Sequence, residues 1–198
     1  MKTQFTKNNF QDTDMNGYEI ISFGILSLPV IILSWRTLFS VKTHGFYRFF
    51  SWECIIWIFI TNVGYWFINP FSIHQVISWI FLFLSVYLVI AGSILLKKEG
   101  KPNKNRNEKG LYQFEKTTVL VDSGVYRYIR HPLYSSLIFL TWGIFMKQTI
   151  WITFILSFIS SAFLFLAAKA EERECQLFFG DQYSAYMKRT KRFIPLLF

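Results

Sequence analysis

Charge is scarce in this 198-residue chain: Asp, Glu, Lys and Arg make up 17% of it, where a soluble domain carries about a quarter. Acid is scarcer than base, 12 against 21, which leaves a net charge of +9. Cysteine is limited to Cys54 and Cys175, one in an apolar run and one in a charged segment, so neither a disulfide framework nor zinc-type spacing is available. His44, His74 and His131 are too far apart to form a metal-binding pair on one helix, and no metal site is expected. The ten glycines include no glycine-rich nucleotide loop of the kind that follows a strand in a doubly wound sheet. There is no internal repeat, and the one biased stretch is the Lys/Asn-rich segment from Lys97 to Lys109, which reads as a solvated loop.

Hydrophobic sequence is plentiful instead. It makes up 53% of the chain, 20% is aromatic, and the mean hydropathy is +0.31. Crossing about 30 Å of hydrocarbon takes about 20 apolar residues. Five runs qualify or nearly do: Ile20 to Leu38, Trp52 to Ile68, Ile77 to Leu96, Leu133 to Met146 and Thr149 to Ala168. Only Lys147 and Gln148 separate the last two, which predicts a tight helical hairpin, and Glu53 and Asn62 in the second run read as helix-packing polar groups. The expected fold is all-α and polytopic, with about five transmembrane helices and a C-terminal cap. Its parts are an N-terminal membrane region over 1–96, and a loop, hairpin and cap over 97–198. The first run lacks a small-residue cleavage site and is read as an uncleaved span. With five spans, 18 Lys and Arg fall on one side and three on the other. That asymmetry puts the C-terminus in the cytosol and the N-terminus opposite, and it accounts for the basic charge without nucleic acid.

Two polar stretches flank the hairpin. The first runs Leu120-Val121-Asp122-Ser123-Gly124-Val125-Tyr126 and then Arg130-His131-Pro132-Leu133-Tyr134. Pro132 suits the first turn of the fourth helix, where its missing N–H would be unpaired anyway. The second stretch contains Glu171-Glu172, then Phe179-Gly180, Tyr183 and Tyr186 three apart on one helical face, then Arg192 and Pro195. Taken singly, Arg130 and Arg192 read as interfacial anchors and the tyrosines as an aromatic belt. Adjacent Glu171 and Glu172 point about 100° apart, so one of them can be merely solvated.

Together, with these spacings, residues 118–198 resemble the isoprenylcysteine carboxyl methyltransferase and phospholipid methyltransferase superfamily. The resemblance implies an integral-membrane, S-adenosylmethionine-dependent methyltransferase with a cytosolic cofactor pocket and a lipophilic or lipidated substrate drawn from the bilayer. It further implies cofactor-binding roles for Gly124, Tyr126, Arg130, His131, Pro132, Tyr134, Glu171, Glu172 and Tyr183. Glu172 and Arg192 are expected as the catalytic pair that positions the acceptor. One departure stands out: where the isoprenylcysteine branch commonly has an arginine shortly before the glutamate pair, this chain has Leu166-Ala167-Ala168-Lys169-Ala170, which argues against a prenylcysteine carboxylate as acceptor. Two further readings stay open, an NADPH-dependent membrane reductase related to sterol reductases and a nonenzymatic membrane protein.

Overall fold

A computed structural model describes residues 17–103 and 111–195. The polar N-terminal tail through residue 16 and positions 104–110 of the Lys/Asn-rich stretch lie outside the described residues. Among those described, every extended element is helical: α1 (Gly17–Ser34), α2 (His44–Asn62), α3 (Ile73–Glu99), α4 (Pro132–Phe145), α5 (Trp151–Phe179) and α6 (Asp181–Arg189). Short 3-10 turns occur at Val63–Tyr65, Gln113–Glu115 and Gly124–Arg127. By length and composition α1, α3 and α5 can each cross a membrane, while α4 is apolar but has 14 residues.

The helices pair through small residues, as helices do where lipid removes the hydrophobic drive and close approach must supply cohesion. Along the α3–α4 seam, Ser78 donates to the carbonyl of Gly143 at 2.6 Å. A Cβ at Gly143 would come within 3.0 Å of Leu82, so glycine is what lets the two backbones approach. On the α2–α5 seam the hydroxyls of Ser51 and Ser160 meet at 2.8 Å, and Phe50 stacks on Phe163 at 5.3 Å. Helices α4 and α5, joined by residues 146–150, touch through Trp142, which donates to Ser161 Oγ at 3.1 Å. Ile55, Ile58, Leu82, Ile144 and Phe145 form one core; Tyr134, Leu164, Ala167, Ala168 and Phe193 form another beneath the polar end of the molecule.

Two expectations need correction. The second apolar helix starts at His44 and ends at Asn62, not at Trp52 and Ile68. His44 and Arg48 enter the helix because carboxylates meet them, Glu174 at 2.6 Å and Glu115 at 3.2 Å. The third helix starts at Ile73, not at Ile77, with polar His74 and Gln75 in its first turn. Lys147 lies at the hairpin tip, as the sequence predicts, yet it is 2% exposed. Its ammonium sits 3.6 Å from the Trp79 ring centroid and 5.3 Å from that of Trp66, and it donates to Gln75 Oε1 at 3.1 Å. Glu53 and Asn62 do serve packing: Ser27 donates to Glu53 at 2.6 Å, and Asn62 Nδ2 donates to the Ile144 carbonyl at 2.8 Å.

Candidate active site

The two polar stretches meet backbone to backbone. Ile129 and Lys191 form an isolated parallel bridge. Around it Arg130 N donates to Lys191 O at 2.8 Å, His131 N to Arg192 O at 3.1 Å, and Lys191 N to Tyr128 O at 3.0 Å. Ser135 Oγ donates to Phe193 O at 2.8 Å and Tyr186 Oη to Tyr126 O at 2.7 Å, so α6 and its tail are clasped onto the start of α4. Asp122 and Arg189 add an exposed ion pair. Gly124 makes the turn leading into this clasp. Its φ of +53° is costly for side-chain-bearing residues, and a Cβ there would lie 2.7 Å from Leu95.

Buried Glu172 is the hub. Arg192 grips it with two parallel bonds, Nε to Oε1 at 3.1 Å and Nη2 to Oε2 at 2.7 Å, the geometry that suits a guanidinium to a carboxylate. Arg130 Nε donates to the same Oε1 at 2.9 Å. The Nη1 of Arg130 donates to the carbonyls of Met187, at 3.1 Å, and Thr190, while its Nη2 makes no hydrogen bond among the described residues. His131 stands between the acids, with Nδ1 3.6 Å from Glu171 Oε2 and Nε2 3.5 Å from Glu172 Oε1. Its ring stacks on Tyr134 at 5.5 Å. That Nε2 is buried and has no hydrogen-bond partner among the described residues. Burial is the largest single influence on His131 and disfavours its charge, yet the two carboxylates together outweigh it and hold the imidazole above its ordinary range. Burial pushes the phenols of Tyr126, Tyr183 and Tyr186 upward, so they stay neutral donors.

A cavity of about 650 Å³, including its open mouth, lies against this cluster. Tyr126, Arg130, His131, Pro132, Tyr134, Glu171 and Tyr183, all named from sequence, form part of its wall. The wall does not include Gly124, Glu172 or Arg192: the first shapes the approach, and the other two lie behind Arg130 and His131. Sequence reading missed Glu115, Thr117, Cys175 and the apolar face of Leu96, Leu111 and Leu133. Tyr186, on the same helical face as Tyr183, lines the cavity too. No spacing pattern marks Glu115. Arg130, His131, two acids and four tyrosines on this wall together provide for both charge signs of one small zwitterion beside an apolar surface.

A family model described as phospholipid methyltransferase matches residues 74–182, more than half of the chain, from the first turn of α3 into α6. No curated protein and no solved structure matches the chain.

Proposed function

Because this chain belongs to the phospholipid methyltransferase family, we propose that it is an integral-membrane enzyme moving a methyl group from S-adenosylmethionine to a lipophilic acceptor at the cavity beside His131. The single observation that carries the reading is that Arg130, His131 and Glu171 share one cavity wall with four tyrosines. These residues fit the cofactor. Glu171 suits its ammonium and sulfonium charge, the Nη2 of Arg130 and the His131 ring suit its carboxylate, and Tyr126, Tyr134 and Tyr183 give the aromatic surface that favours cations. Bound there, S-adenosylmethionine supplies an electrophilic methyl group, and no covalent enzyme intermediate is needed. The protein contributes alignment of donor and acceptor and exclusion of water. Glu172 and Arg192 act as positioning residues, setting the acceptor's place through Arg130 and His131.

Glu171 on the wall suits an amine headgroup better than a prenylcysteine carboxylate. In the membrane we place α1 to α5 as five spans with α4 and α5 as a hairpin, the region before residue 97 as support, and α6 with the clasp on the cytosolic side. Purified protein is expected to bind S-adenosylmethionine, with Arg130→Ala and Glu171→Ala each weakening it about tenfold or more. Preferential binding of NADPH overturns the assignment. Labelled methyl transferred into a total lipid extract identifies the acceptor. Cysteines at Asn103 and Gln182 are expected to react from the same face of sealed vesicles; reaction from opposite faces overturns the sidedness.

A further inference from the structure

Helix α2 lies outside the family-matched residues 74–182, yet it reaches the cavity through a carboxylate. Arg48, 8% exposed, donates from Nη1 to both oxygens of Glu115 at 3.3 and 3.2 Å, and its guanidinium carbon lies 4.3 Å from the Tyr112 ring centroid. Glu115 also accepts from the Tyr112 amide at 2.8 Å, which ties the carboxylate to its own turn. The segment that carries them, 111–121, supplies Leu111, Glu115, Thr117, Leu120 and Val121 to the cavity wall. On its other side it is held to the end of α3, where the amides of Thr118 and Val119 donate to the Gly100 carbonyl at 2.9 and 3.2 Å. The segment has no regular structure beyond one short 3-10 turn, so its position depends on such ties. Helix α2 is a firm anchor, because His44 Nδ1 meets Glu174 Oε2 on α5 at 2.6 Å.

We propose that Arg48 is a positioning residue of the site: it pins segment 111–121 as the cavity's movable wall, making ligand binding depend on a helix beyond the family-matched region. The inference rests on the reading of the cavity as the cofactor and acceptor site, but the pinning itself is a separate matter and can be read without ligand. A guanidinium that both stacks on Tyr112 and bonds Glu115 fixes the direction as well as the distance of its partner, which an ammonium would not do.

The test uses the full chain in lipid nanodiscs with Arg48→Ala, Arg48→Lys, Glu115→Ala and the Arg48→Ala/Glu115→Ala pair. The first readout is amide hydrogen exchange without ligand; the second is S-adenosylmethionine affinity. Arg48→Ala is expected to speed exchange at residues 115, 117, 118 and 119 about tenfold with α4 and α5 unaffected, and to weaken binding about tenfold. Arg48→Lys falls between, and the double variant is no worse than either single one. Unchanged exchange in this segment, or single effects that simply add, overturns the proposal. Wild-type protein that binds no S-adenosylmethionine removes the assigned cofactor, while faster exchange in Arg48→Ala still upholds the pin. If Arg48→Ala does not fold, Glu115→Gln, which keeps shape and loses charge, is judged by the same two readouts.

Discussion

Each end of α4 buries a cation, and the two ends do so by opposite means. At its start, Arg130, Arg192 and His131 surround the carboxylate of Glu172. At its end, Lys147 lies against Trp79, Trp66 and the neutral amide of Gln75, with no acidic partner among the described residues. The first arrangement lies against a cavity and lends Arg130 and His131 to its wall. The second is a plug. A desolvated ammonium held by ring faces and one amide joins the α4–α5 turn to the first turns of α3, and burial alone pushes that ammonium below its usual range. The contrast separates burial that prepares a binding site from burial that joins helices.

Removing the shared acid breaks the contrast most directly. Glu172→Ala strands two guanidinium groups and an imidazole, and loss of one partner of a buried ionic set costs about 3 to 5 kcal/mol. The clasp of residues 186–193 is expected to open, detected as new proteolytic cleavage after α5 and loss of methyl transfer. Next in size is the pH response. The His131 pKa is raised in the folded protein, so its stabilising contribution is fully present below the ordinary imidazole range and is lost as pH rises through the higher folded value. Unfolding midpoints followed from pH 6 upward should fall in the wild type, and this fall should flatten in His131→Asn. Lys147→Met sharpens the comparison from the other end: it keeps the volume, removes the desolvated charge and changes stability by within about 1 kcal/mol, with methyl transfer unchanged. The smallest effect belongs to Arg189→Ala. Its pair with Asp122 is 60% and 49% exposed, and screened surface pairs contribute about 0 to 1 kcal/mol, so a thermal scan should barely move.

The same contrast explains what could be read from the sequence. Apolar length located the cores of α1 to α5, and Pro132 fixed the start of α4 to within one residue of its expected position. The motif spacing pointed to Arg130, His131, Glu171 and Glu172, which the structure brings together, because their geometry is set by two short stretches and one helical turn. Charges at the edges of apolar runs are less legible. Arg48 lies before the second run and Lys147 between the last two, where hydropathy takes a charge to mark the edge of a span, yet both are buried. Their partners, Glu115 and Gln75, lie 67 and 72 residues away, and no periodicity connects them. His44 and Glu174, 130 residues apart, stayed illegible for the same reason.

The clasp also imposes an order on the making of the protein. Tyr126 and the Tyr186 that secures it are 60 residues apart in the chain. At about 5 to 20 residues per second of synthesis, the earlier partner therefore waits roughly 3 to 12 s for the later one. During that interval the pocket lacks the wall that Tyr183 and Tyr186 supply, so the cavity is completed only after α6 has been made.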